Sequence, residues 1–151
     1  MPPTSTQCNL LMIEDNPADV RLMIEAIREA GLSDMITTRY AYDGDEAFSI
    51  LESGYNMDNP FNMILLDLNM PKVNGKELLG RIKGDERFAK TTVFIMTNSD
   101  YKYDMIDCYN LRADAYIQKP NSPSIWLLDP RRSYWPNKDR RSGCIPIHGR
   151  C

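Results

Sequence analysis

One histidine, His148, and four scattered cysteines, Cys8, Cys108, Cys144 and Cys151, are the only residues of these two types in the sequence. The cysteines lack the paired spacing of a zinc site, and a lone histidine builds neither a histidine-based triad nor a multi-histidine metal site. In a reducing compartment the four cysteines read as free thiols. No apolar run approaches the ~20 residues of a membrane span, and the start Met1–Pro2–Pro3–Thr4 lacks the basic and apolar regions of a secretory signal. A cytoplasmic protein is therefore expected, with no membrane contact. Compositional extremes are missing too: of 151 residues 42% are hydrophobic and 26% charged. That mixture excludes a disordered, collagenous or disulfide-scaffold chain and suits one domain with its own core. The net charge of −3 is uneven: residues 1–120 hold 12 Lys and Arg against 19 Asp and Glu, and residues 121–151 hold 6 against 2. An acidic body argues against nucleic-acid binding there; only the basic tail offers charge of the right sign.

What is present is a repeated unit. Leu10–Ile13 is too short for a helix and reads as a buried strand. Asn16 and Pro17 then supply an N-cap and a first helical residue. Val20, Ile24 and Ile27 follow at helical spacing, flanked by Met23 and Ala30, and Gly31 supplies the stop. The pattern recurs as strand Ile36–Tyr40 and helix Asp43–Ser53, with Ala47, Phe48 and Leu51 inward and Gly54 after it. Next come strand Met63–Leu66 with a short helix from Gly75 to Lys83, and strand Val93–Met96 with a helix around Tyr101–Leu111 carrying Met105, Ile106 and Tyr109. The last strand is Ala115–Gln118. Five strands alternating with four helices predict right-handed crossovers and a doubly wound, five-stranded parallel sheet. Ligands of such sheets bind beyond the carboxyl ends of the strands.

Polar residues collect at those ends: Glu14 and Asp15 after the first strand, Asp67 after the third, Thr97 after the fourth and Lys119 after the fifth. Three crowded carboxylates call for a cation, and an all-oxygen set selects a hard ion such as Mg²⁺. A carboxylate beside Mg²⁺ can attack phosphorus and become an aspartyl phosphate. Asp67, ending the most buried strand, is the best nucleophile, and the Thr97 hydroxyl and Lys119 ammonium can steady the phosphoryl oxygens. Singly, each residue has a plainer reading: helix-dipole partners for Glu14 and Asp15, a turn residue for Asp67, a β-branched strand end for Thr97, a solvated charge for Lys119. Their joint occurrence carries the assignment. A flavin-mononucleotide carrier is a poor fit, because Glu14–Asp19 would repel its phosphate. A phosphatase of the aspartyl-phosphate type needs a second acid where Asn69 stands, so turnover of an external substrate is not expected.

The segments LMIEDNPAD (Leu11–Asp19), ILLDLNMPKVNG (Ile64–Gly75), VFIMTNSD (Val93–Asp100) and ADAYIQKP (Ala113–Pro120) resemble, in order and spacing, the receiver domains of two-component response regulators. The Gly54–Phe61 segment and the IKGDERF stretch resemble the small single-domain regulators that partner bacterial phytochrome kinases. The resemblance implies a flavodoxin-like sheet of order 2-1-3-4-5. It also implies Glu14 and Asp15 as the acid pair for Mg²⁺, Asp67 as phosphoacceptor, and Asn69 as the backbone carbonyl that completes the metal shell. Thr97 and Lys119 become the switch hydroxyl and its lysine partner, and Tyr116 an aromatic switch that turns inward in the active form. Lys119–Pro120 would be a cis peptide. The partners implied are a sensor histidine kinase, phytochrome-type by this likeness, and a downstream protein. The alternative function is a phosphorylation-independent interaction module of the same fold. Tyr116 also has a bland reading, half-buried packing on an edge strand.

After Pro120 the pattern departs from the family. Prolines at 123, 130, 136 and 146 leave no room for the expected fifth helix, so the receiver domain is read as residues 1–120 and the rest as an atypical Pro- and Arg-rich tail. That tail is either a frameshifted or vector-derived ending or a native docking segment. Without the helix, the face between the first helix and the fifth strand is expected to expose several large apolar side chains, covered by a second copy in a homodimer or by a kinase-like partner.

Overall fold

The computed structural model describes residues 7–68, 70, 74–97 and 102–118. The chain alternates β1 (Cys8–Ile13), α1 (Pro17–Glu29), β2 (Ile36–Ala41), α2 (Gly44–Asn56), β3 (Met63–Leu66), α3 (Gly75–Gly84), β4 (Thr92–Thr97), α4 (Lys102–Asn110) and β5 (Ala115–Gln118). The strands form one parallel sheet in the order β2-β1-β3-β4-β5, the doubly wound order expected. In the ladder Ile13 stands opposite Leu66, Leu66 opposite Ile95 and Ile95 opposite Tyr116. All strands therefore reach one carboxyl rim together.

Alternation along each strand sends side chains to two cores. Leu11, Ile13, Ile64, Leu66, Val93, Ile95 and Tyr116 join α2, α3 and α4 through residues such as Phe48, Leu79, Ile82, Met105 and Cys108. Leu10, Met12, Leu65 and Met96 meet Val20, Met23, Ala26 and Ile27 of α1 on the other side. The helices start where cap chemistry directs. Asn16 accepts a hydrogen bond from the Ala18 N–H at 2.9 Å, as expected, Asp43 accepts from Glu46 N at 2.7 Å, and Asn74 accepts from Lys76 N and Glu77 N.

Three expectations need correction. Ile24 is 43% exposed, because α1 contacts the sheet along Val20, Met23, Ala26 and Ile27 and Ile24 lies on the flank beyond it. Gly54 does not stop α2, which runs to Asn56. The glycine is needed for a close approach, since a Cβ there would fall 2.9 Å from Asn59 O and 3.2 Å from the Phe61 ring. Asp58 makes the turn instead with φ 55, its N–H donating to Tyr55 O while Asn59 N donates to Gly54 O. The third concerns the face beyond α1. Met63, Phe94 and Ile117 there are half-buried against the α1-side core, and none is among the exposed large apolar residues. The fifth-helix region and the tail lie outside the described residues.

The Gly54–Phe61 segment is tied to the sheet. The Asn9 amide donates to Asn59 Oδ1 at 2.7 Å and to Pro60 O at 3.2 Å, and Asn62 Oδ1 accepts from Asn9 N at 2.7 Å. Cys8 and Cys108 are free, as expected. No helix among the described residues is long and apolar enough to cross a membrane.

Candidate functional site

The sheet's own hydrogen bonds extend into the site. Glu14 N donates to Ala41 O at 3.0 Å and Asp67 N to Ile13 O at 3.1 Å, so both acids are held one step beyond the paired strands. The alternation that turns Met12 and Leu65 toward α1 gives Glu14 and Asp67 the same side. Both are buried, each 5% exposed, and they line a small cavity with Met12, Asp19, Met23 and Met96. Asp15, next along the loop, is exposed. One carboxylate oxygen from each of Glu14, Asp15 and Asp67 lies within 4.8 Å of the other two. Asn16, the cap of α1, also donates its N–H to Glu14 Oε1 at 3.2 Å, so one loop both starts the helix and orients an acid.

Three carboxylates at this spacing repel one another, most strongly where two are removed from water. A divalent cation offsets that repulsion, and the all-oxygen donor set, part side chain and part open to solvent, fits a small hard ion that keeps several waters. The residues present suit Mg²⁺ or Mn²⁺.

Thr97 ends β4 fully buried, and its strand position pairs with Gln118. It stands on the same side of β4 as Ile95, whose neighbour across the ladder is Tyr116. Tyr116 is fully buried and belongs to the α2-α3-α4 side of the core. The bland reading of Tyr116 as half-buried edge packing is thus corrected: α4 and the β4 side chains close over it. Asn69, Lys119 and the Lys119–Pro120 bond lie outside the described residues.

Sequence reasoning missed Gly75 as a site residue. A Cβ on it would lie 2.8 Å from Leu68 Cα and 3.1 Å from Asp67 O, so the first turn of α3 is seated against the backbone of the central acid. The signal was the Asn74–Gly75 pair, a cap followed by a residue with no side chain. Asp19, which faces the cavity from the first turn of α1, was also missed as a member.

An acid cluster with a buried hydroxyl at the carboxyl rim of a 2-1-3-4-5 sheet defines a doubly wound, flavodoxin-like domain with its site at the strand ends. The response regulator receiver domain matches residues 10–126, and the chain belongs to that family. It is 34% identical over 113 residues to the response regulator Rcp1 of Synechocystis sp., covering 73% of this chain and 75% of that protein. The Mn²⁺-bound form of Rcp1 superposes with a TM-score of 0.66 at 32% identity, covering 76% of this chain and 83% of the other. The phosphorylated cyanobacterial phytochrome response regulator RcpA gives 0.69 at 30% identity, with 81% and 95% covered. The bacteriophytochrome response regulator AtBRR gives 0.65 at 32%, with 77% and 84% covered. The chain is thus a receiver-domain response regulator of two-component systems. Receiver domains are phosphoacceptors rather than substrate-turnover enzymes, bind a divalent metal and interact with sensor histidine kinases.

Proposed function

We propose that this regulator accepts a phosphoryl group on Asp67 from the phosphohistidine of a sensor kinase, and that Glu14, Asp15, Asp67 and the Asn69 carbonyl hold the Mg²⁺ required. The observation that carries the reading is the approach of Glu14, Asp15 and Asp67 within 4.8 Å, with Asp67 buried at the end of the central strand. In the transfer an Asp67 carboxylate oxygen forms a bond to phosphorus as the phosphorus–nitrogen bond to the histidine breaks. The imidazole leaves and takes a proton from solvent, and an acyl phosphate remains on Asp67. Mg²⁺, when bound, neutralises charge on the acids and on the phosphoryl oxygens. Thr97 donates its hydroxyl and Lys119 its ammonium to those oxygens.

Signalling follows as a population shift. Bonding to the phosphoryl group draws Thr97 toward Asp67, and Tyr116 is held in the inward position beneath it. The kinase proposed is phytochrome-type, on the likeness to RcpA and AtBRR, and the compartment is the cytoplasm. The receiver unit is proposed to end near residue 120, with 121–151 a separate tail. A homodimer belongs to the same proposal, and sedimentation with and without phosphoryl donor tests it.

The second reading is an interaction module of the same fold that works without phosphorylation, with Tyr116 a fixed part of the core in which it is buried. Incubation with acetyl phosphate and Mg²⁺, read by intact mass, separates the two. The first reading expects one added phosphoryl group, and none when chelator is present throughout the incubation; an unchanged mass in the presence of Mg²⁺ favours the second.

A further inference from the structure

Along α3, residues 76, 80 and 83 share one face, and each meets a different point of the α4–β5 arm. Lys76 Nζ lies 2.6 Å from Asp104 Oδ1 and 2.9 Å from Asp107 Oδ2 of α4. Gly80 admits Leu111, whose Cδ2 would lie 3.4 Å from a Cβ placed there. Lys83 Nζ bonds Asp114 Oδ2 at 3.1 Å, Thr91 O at 2.6 Å and Ala89 O at 3.3 Å, and Asp114 Oδ2 also accepts from Val93 N at 2.7 Å.

The two ends differ in kind. The Lys83–Asp114 pair is nearly sealed, with side chains 8% and 12% exposed. The Lys76 cluster is wetter, at 32% for the lysine and 22% and 51% for its partners, and the two acids raise the Lys76 pKa by their hydrogen bonds. Among the described side chains of α4, Met105 and Cys108 are buried, whereas α1 and α3 each bury four residues. Lys76 follows Gly75, which is seated on Leu68 and Asp67.

We infer that Lys76 is a positioning residue: with Asp104 and Asp107 it forms a releasable clasp that holds the amino-terminal half of α4 to the helix abutting Asp67, while Lys83–Asp114 and Gly80–Leu111 form the fixed pivot. α4 starts five residues after Thr97. A pull on Thr97 toward the site displaces that end of α4 and must break the clasp, so the clasp opposes the activated arrangement. This rests on the phosphoacceptor reading above and adds the element that sets its threshold.

The full-length chain with Mg²⁺ and beryllofluoride, a phosphoryl mimic, tests it through two readouts. Without the mimic, amide exchange in residues 102–108 accelerates several-fold in Lys76→Gln and stays unchanged in residues 113–117. With the mimic, binding tightens by about two- to tenfold, the range for loss of a partly exposed ion-pair cluster coupled to a two-state element. Asp104→Asn with Asp107→Asn gives the same two changes from the other side of the clasp, and Lys76→Arg keeps wild-type values. Equal mimic affinity in wild type and Lys76→Gln, or unchanged exchange in α4, overturns the clasp. A wild type that does not bind the mimic overturns the phosphoacceptor reading itself, and the clasp with it.

Discussion

Gly75 and Leu68 touch backbone to backbone: a methyl group at Gly75 would sit 2.8 Å from the Leu68 Cα. The contact joins the start of α3 to the residue that follows the central acid, and neither side is a flexible side-chain end that can move aside. Gly75→Ala is therefore expected to cost about 1–3 kcal/mol, the range for overpacking a tight contact, and to slow acetyl-phosphate labelling by moving the Asp67 backbone. Denaturant melts and labelling time courses check the two effects together.

The Lys83–Asp114 pair fastens three chain segments at the end of the sheet away from the site. Lys83→Ala leaves Asp114, Ala89 O and Thr91 O without the ammonium in a nearly sealed setting, at a cost of about 3 kcal/mol. Because Asp114 keeps the Val93 N–H, Asp114→Ala is expected to cost at least as much. Paired urea titrations of the two variants and the double variant measure it, and the double variant is expected to be less destabilised than the sum.

Burial pushes the Cys108 thiol up from 9.0 to about 12, the nearby Lys76 only partly offsetting it. The folded state thus holds this proton more tightly than the unfolded state. The stabilisation is complete below pH 9 and falls as pH rises from 9 toward 12. Peptide-mapped alkylation at pH 8 is expected to modify Cys108 only after unfolding.

If Glu14, Asp15 and Asp67 hold the metal, millimolar Mg²⁺ or Mn²⁺ raises the melting temperature of the wild type by mass action on the folded state. Asp15→Asn removes one charge and one strong donor from the exposed side of the cluster, and its melting temperature is expected to respond less. Calorimetric scans with and without metal compare them, and an equal response removes Asp15 from the site.

Sheet order and the acid cluster were legible because both follow from strand ends: apolar runs that stop in a carboxylate need no knowledge of distant contacts. Helix ends were legible only where glycine marks them. Gly31, with φ 73, closes α1 as expected, but Asp58 and Arg112 adopt φ 55 and 71 without being glycine, so α2 and α4 end where composition gives no sign. Ile24 fitted the spacing of a buried stripe, and the small Ala26 that does pack on the sheet was overlooked. The ion pairs of Lys76 and Lys83 were invisible for another reason. Their partners lie about thirty residues away, and only the topology sets α3 beside α4 and the start of β5.

The central claim is that Asp67 becomes phosphorylated, and trapping the acyl phosphate tests it most directly. Borohydride reduces an aspartyl phosphate to homoserine with release of phosphate, leaving a stable mark for peptide sequencing by mass spectrometry. After incubation with acetyl phosphate and Mg²⁺, the account predicts homoserine at position 67 and at no other acid, with no conversion in Asp67→Asn. Homoserine at Asp15 or another aspartate, the longer five-carbon amino alcohol of a reduced glutamate at Glu14, or no conversion at all in the wild type, would contradict it.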